Sequence, residues 1–165
     1  MKMRLVLGLL VCFCFSNSQT LNYYFGNLHS HTGYSDGNKD SNSTSVSKPA
    51  GSYAYAKLSQ HFDFLGIAEH NHYSSNNNPG MVRTSYGLGL AQAAAATTPS
   101  FLALYGMEYG VSSSGNGHVV IYGFNQLIGW ETTGVPGHVP NYDIYCPKTN
   151  YDSLWRIVKN NPNAF

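Results

Sequence analysis

Short, nearly unbroken apolar runs alternate with helical and polar stretches along this chain. FDFLGIA (62–68) and FLALYGM (101–107) have the length of strands and lack polar alternation, the pattern of strands buried on both faces. YYFGNL (23–28) is a short apolar run predicted as a first strand. HVVIYGF (118–124) is β-rich and follows the turn sequence VSSSGNG (111–117), so it is expected to pair with the strand before it. Helical patterns lie between these runs. Ala54, Tyr55, Leu58 and Phe62 recur at helical spacing and predict a helix over residues 50–60. The Ala-rich stretch 81–97 predicts a second helix despite Gly87 and Gly89, and SLWRIVK, from Asp152, opens an amphipathic third. Polar residues 38–50 and 70–80 read as loops. Residues 125–150 are punctuated by Gly and Pro, with Trp130, Tyr142 and Tyr145 expected to cover a core. The order strand, helix, strand, helix, strand favours an α/β layer structure with parallel strands.

The N-terminus stands apart from this pattern. Lys2 and Arg4 precede an apolar run from Leu5 to Phe15, and Ser16-Asn17-Ser18 follows. That layout predicts a secretory signal peptide over residues 1–18, hence a secreted or periplasmic protein. The apolar run is well short of the roughly 20 residues a spanning helix needs, so no transmembrane anchor is expected in the mature chain. Removing Lys2 and Arg4 from nine basic residues leaves seven against eight acidic ones, a formal net charge of −1. No basic run survives to track a nucleic-acid backbone, which argues against an obligatory nucleic-acid partner. Cys12 and Cys14 fall in the signal and leave Cys146 alone. Disulfides and Cys-x-x-Cys zinc sites are thereby excluded, and stability must come from a packed core or from metal held by His and carboxylate.

The candidate chemistry collects at strand ends. His29 and His31 follow the first apolar run. In an extended segment residues i and i+2 point to one side, so both imidazoles can reach one ion. Asp36 sits in the turn after them, His70 directly after FDFLGIA, Glu108 directly after FLALYGM, and His118 opens the next strand. The carboxyl ends of parallel strands share one face in α/β barrels, and sites assemble there. Imidazole and carboxylate without sulfur suit zinc, manganese or iron, and a bridging carboxylate suits more than one ion. His61, His72 and His138 lack this placement: His61 reads as a helix-end residue, His138 as a loop residue, and His72 as a loop neighbour of His70.

These residues also carry a resemblance. NLHSHTGYSDG (27–37), FDFLGIAEHNH (62–72) and GMEYG…GHVVIYGF (106–124) resemble the polymerase and histidinol phosphatase, or PHP, family over roughly residues 23–124. The leading His-x-His followed by Ser-Asp-Gly is matched in full by His29, His31 and Ser35-Asp36-Gly37. The motif usually written Thr-Asp-His-Asn reads Ala68-Glu69-His70-Asn71 here, so the histidine is kept while Glu replaces Asp. Glu108 and His118 match the later glutamate and histidine. The resemblance implies a distorted seven-strand β/α barrel binding two or three divalent ions. His29, His31 and Glu108 would hold one ion, with Glu108 bridging. Asp36 and His70 would help to hold its neighbours, and His118 would be an additional ligand. It further implies hydrolysis of small phosphate esters, with the ions acidifying water for attack on phosphorus and stabilising phosphoryl charge. Residues 19–165 are fewer than the roughly 200 or more of a usual β/α barrel, and no Asp-x-His triplet follows His118. They are therefore expected to form the N-terminal part of a PHP-like domain, an incomplete (β/α)7-type barrel.

Two other functions fit parts of the sequence. Thirteen tyrosines and two tryptophans could stack on sugars in a secreted glycan-binding module, although that leaves His29-x-His31 unexplained. A PHP-like fold could also retain metal without turnover.

Overall fold

The computed structural model describes residues 21–37, 48–71, 83–110, 117–130 and 142–165. The expected signal peptide, His72 and His138 lie outside these residues. Among the described residues the order is β1 (Gly26–Asn27), α1 (Pro49–Leu58), β2 (Phe64–His70), α2 (Arg83–Ala96), β3 (Leu102–Tyr109), β4 (Val119–Tyr122), β5 (Ile128–Gly129), β6 (Ile144–Tyr145) and α3 (Tyr151–Val158). This is a mixed α/β structure. No helix among the described residues is long and apolar enough to cross a membrane.

Strands β1 to β4 form one sheet in chain order. β1, β2 and β3 are parallel, as expected, with β2 and β3 in register from Phe64↔Leu102 to His70↔Glu108. β4 departs from the all-parallel expectation. It runs antiparallel to β3, with Tyr109 opposite Val119. A short hairpin-like return needs no crossover helix, whereas a parallel return would need a dozen or more residues. Only residues 110–118 separate the two strands. The reversal matters for the site, because it brings the start of β4 beside the end of β3.

The strand boundaries shift in the same direction. His70 and Glu108 belong to β2 and β3 rather than following them, while His118 lies just before β4. Both strands run on because polar residues at their ends pair along the ladder. Asn71 N–H continues it by donating to the Glu108 carbonyl at 3.2 Å. β1 is only two residues long, yet the chain tracks β2 well past it. Asp63 N–H donates to the Phe25 carbonyl at 2.6 Å and Ala68 N–H to the Ser30 carbonyl at 3.0 Å.

Helices α1 and α2 cover one face of this sheet. Pro49 opens α1, where a fixed φ suits the first turn and no amide donor is missed. His61, at φ 54°, ends it in the left-handed conformation, and the Phe62 amide donates back to the Ala56 carbonyl. Tyr53 and Ala56 of α1 and Tyr86 and Ala93 of α2 are buried against Ile67, Tyr105 and Met107. Ile67 and Met107 are fully buried, each contributing about 1.5–3 kcal/mol by leaving water. The tyrosine hydroxyls are satisfied by carbonyls at the sheet: Tyr53 donates to Leu104 at 2.8 Å and Tyr86 to Phe124 at 2.5 Å.

The Gly- and Pro-punctuated stretch contains structure that its composition hides. β5 and β6 pair in parallel, and Asp143 secures them by accepting from Leu127 N–H at 2.8 Å and pairing with Arg83 at 2.5 Å. Trp130 packs edge-on against Tyr109, with ring centres 5.0 Å apart, and Tyr142 also packs on the core. Tyr145 does not: it is 52% exposed, because the strand alternation turns it outward. α3 begins one residue before the expected Asp152, where the Asn150 side chain accepts from Ser153 N–H at 2.9 Å and caps the helix.

Candidate metal centre

All six ligand candidates from the sequence come together at one end of the sheet. His29, His31 and Glu108 form one group, His31, Asp36 and His70 a second, and His70, Glu108 and His118 a third, with the ligand atoms in each lying within 4.8 Å of one another. The groups share members, so they form one continuous cluster. The extended segment explains the first pair: His29 Nε2 and His31 Nε2 lie 3.0 Å apart on the same side. The register explains the second, since His70 is directly opposite Glu108. The antiparallel turn explains His118, which donates from Nδ1 to Glu108 Oε1 at 2.6 Å.

Glu108 is the centre of the arrangement. Its side chain is 4% exposed. Oε2 is buried and takes part in no hydrogen bond among the described residues. Three imidazole nitrogens nevertheless crowd it: His70 Nδ1 at 3.0 Å, His31 Nε2 at 3.2 Å and His29 Nε2 at 3.5 Å. Asp36 closes the other side, 3.4 Å from His31 Nδ1 and 3.6 Å from His70 Nε2. Two ligand atoms that each lie about 2.1 Å from one ion, at tetrahedral or octahedral angles, are separated by about 3.0–3.4 Å. The His70 and His31 spacings around Glu108 Oε2, 3.0 and 3.2 Å, fall in that range and the His29 spacing, 3.5 Å, lies just above it, while the donor set of imidazole and carboxylate is the one zinc, manganese or iron takes. The residues fit a divalent cation.

No family model matches the chain, and no curated protein or solved structure matches it significantly. The chemistry of the site therefore rests on its own geometry.

The ionisable groups are strongly perturbed. Burial alone would raise the Glu108 carboxyl, but contact with His31 and the positive charge available on His70 and His118 outweigh it and bring the pKa down to about 2. Burial pulls His31 down, yet the Glu108 carboxylate, helped by Asp36 and Glu69, leaves it above the ordinary imidazole value. His70 moves the other way: burial dominates and lowers it.

Beneath the cluster lies a carboxylate that sequence reasoning did not place. Glu69 is fully buried at the end of β2. It accepts from the Thr32 amide at 3.0 and 3.1 Å, from the Thr32 hydroxyl and from the Ser35 hydroxyl. Burial raises its pKa, against these hydrogen bonds and the nearby His31. The signal was a glutamate inside a run otherwise buried on both faces, where an acid is rarely found without partners. The partners come from the turn HTGYSDG, closed by Ser35 and Gly37 amides donating to the Thr32 carbonyl at 3.1 and 2.9 Å. Gly37 is required there, because a Cβ would collide with the His31 backbone and lie 2.6 Å from the Thr32 nitrogen. His61, exposed at the end of α1, takes no part in the centre.

Proposed function

We propose that this chain is an exported metal-dependent phosphoesterase with a PHP-like fold, of which the four-stranded sheet forms part of the barrel. In this reading His29, His31 and Glu108 hold one divalent ion, Asp36 and His70 help hold its neighbours, and His118 orients Glu108 and adds a ligand. Zinc, manganese and iron all suit these donors. The observation that carries the reading is Glu108 Oε2, buried and ringed by three imidazole nitrogens within 3.5 Å. Imidazole nitrogens converging on one buried carboxylate oxygen form the donor set that a divalent cation takes.

Divalent ions at such a site supply Lewis acidity, acidifying water and neutralising phosphoryl charge. The chain's own residues supply the rest. Glu108 bridges the groups, and the His118 hydrogen bond at 2.6 Å fixes its carboxylate plane. His29 is the most exposed candidate, with 43% of its side chain open, so a small phosphorylated substrate would approach from its side.

Elemental analysis of purified protein, together with turnover of a panel of phosphate esters with and without chelator, tests this. At least one divalent ion per chain and ester hydrolysis abolished by chelator are expected. Hydrolysis indifferent to chelator, or protein that takes up no divalent ion, would overturn the proposal. Stoichiometric metal without turnover would instead favour a metal-retaining, non-catalytic protein.

A further inference from the structure

The buried carboxylate under the cluster does more than fill space. Every group touching Glu69 donates to it: the Thr32 amide, the Thr32 hydroxyl and the Ser35 hydroxyl. The Thr32 hydroxyl has one hydrogen; its oxygen accepts from the Tyr34 amide at 3.2 Å, and its hydrogen goes to Glu69. The Ser35 hydroxyl likewise spends its single hydrogen on Glu69 Oε2. The same oxygen lies 3.2 Å from His31 Nδ1. With its hydrogen committed, Ser35 Oγ can only accept there, so the proton of the contact belongs to Nδ1. In the neutral imidazole the lone pair of His31 is then on Nε2, the atom that faces His29 and Glu108 at 3.0 and 3.2 Å, and Asp36 Oδ1, 3.4 Å from Nδ1, favours the same tautomer.

We infer that Glu69 is a positioning residue for the metal centre, acting through Ser35 to hold His31 in the Nδ1–H tautomer with Nε2 presented as a ligand. Partners of this kind orient ligating imidazoles and fix their tautomer. The arrangement also joins two elements that carry ligands. Glu69 directly precedes His70 on β2, and Thr32 and Ser35 bracket the turn between His31 and Asp36. Its consequence for affinity rests on the metal-centre reading, whereas its consequence for the tautomer does not.

Two variants of the full chain test it, with zinc as the probe. In Glu69→Gln the amide nitrogen can donate to Ser35 Oγ, which frees the serine hydrogen to turn toward His31 Nδ1. Ser35→Ala removes the link altogether. Long-range 1H–15N NMR of the metal-free protein at about pH 9, where imidazoles are neutral, reads the tautomer of His31. Relative to wild type, both variants are expected to shift the population toward Nε2–H, Glu69→Gln further. Zinc affinity by calorimetry should fall about 10–100-fold in both. If Glu69→Gln does not fold, Ser35→Ala decides the matter. An unchanged His31 tautomer ratio in a folded variant would overturn the inference, whatever happens to zinc. Wild-type protein that binds no zinc would count against the metal centre, while the tautomer shift would still decide the role of Glu69.

Discussion

Glu108 offers the sharpest physical test, because its environment has a calculable effect on stability without any metal. Folding takes its carboxyl from 4.5 to about 2, against burial and through the imidazoles around it. A depressed folded pKa contributes stability above the unfolded value and loses it as pH falls toward the folded one. At about 1.4 kcal/mol for each pH unit, the contribution is at most about 3–4 kcal/mol, fully present above pH 4.5 and gone near pH 2. Glu108→Gln keeps the shape and removes the titration. Urea unfolding of metal-free wild type and variant should therefore differ by up to about 3–4 kcal/mol near pH 5 and converge as pH approaches 2. A gap that stays constant from pH 5 to pH 2 would show that the carboxylate is not held by charge from His31, His70 and His118.

His31 and His70 should titrate in opposed senses in the metal-free protein, with NMR midpoints above and below 6.5 respectively. His31 then adds stability below pH 6.5 that is lost as pH rises through its folded value, and His70 adds stability above pH 6.5 that is lost as pH falls through its own; midpoints in the reverse order would contradict the site's electrostatics. Gly66→Ala should cost about 1–3 kcal/mol in thermal or urea unfolding, since its Cβ would meet the Tyr122 hydroxyl and lie 2.9 Å from the Leu28 carbonyl. Tyr122→Phe removes a 2.5 Å hydrogen bond to that carbonyl and should cost about 0.5–1.5 kcal/mol. The double variant should cost less than the sum, because the phenylalanine removes the shortest of the contacts that the new Cβ would make; strict additivity would contradict the close approach.

Much of the sheet was legible because burial on both faces leaves an unmistakable mark. Leu65–Ala68 in β2 and Tyr105–Met107 in β3 are continuous buried apolar runs, and both strands were found within two residues of their limits. The helices α1 and α2 were found as well, α2 from its alanines, but the expected α1 stripe was misplaced: Ala54 and Leu58 are exposed, and Tyr53 and Ala56 face the core instead. The direction of β4 was not legible, since a β-rich run looks the same whichever way it pairs. β5 and β6, at two residues each, carry no periodicity to detect. In the site, His29 and His31 were readable from the two-residue alternation alone. His70, Glu108 and His118 needed the register and the antiparallel return to become neighbours. Glu69 was hidden for a different reason: its partners Thr32 and Ser35 are 37 and 34 residues away in sequence, and hydroxyls in a turn ordinarily need no buried acid.

The central claim is that the His29–His31 pair and Glu108 form a cation site, and elemental analysis of His29→Ala/His31→Ala beside wild type tests it most directly. Both proteins would be loaded with zinc or manganese, freed of excess ion and checked for folding by circular dichroism. Wild type should retain at least one divalent ion per chain, and the folded double variant should retain at least one fewer. The same metal content in both proteins would contradict the account.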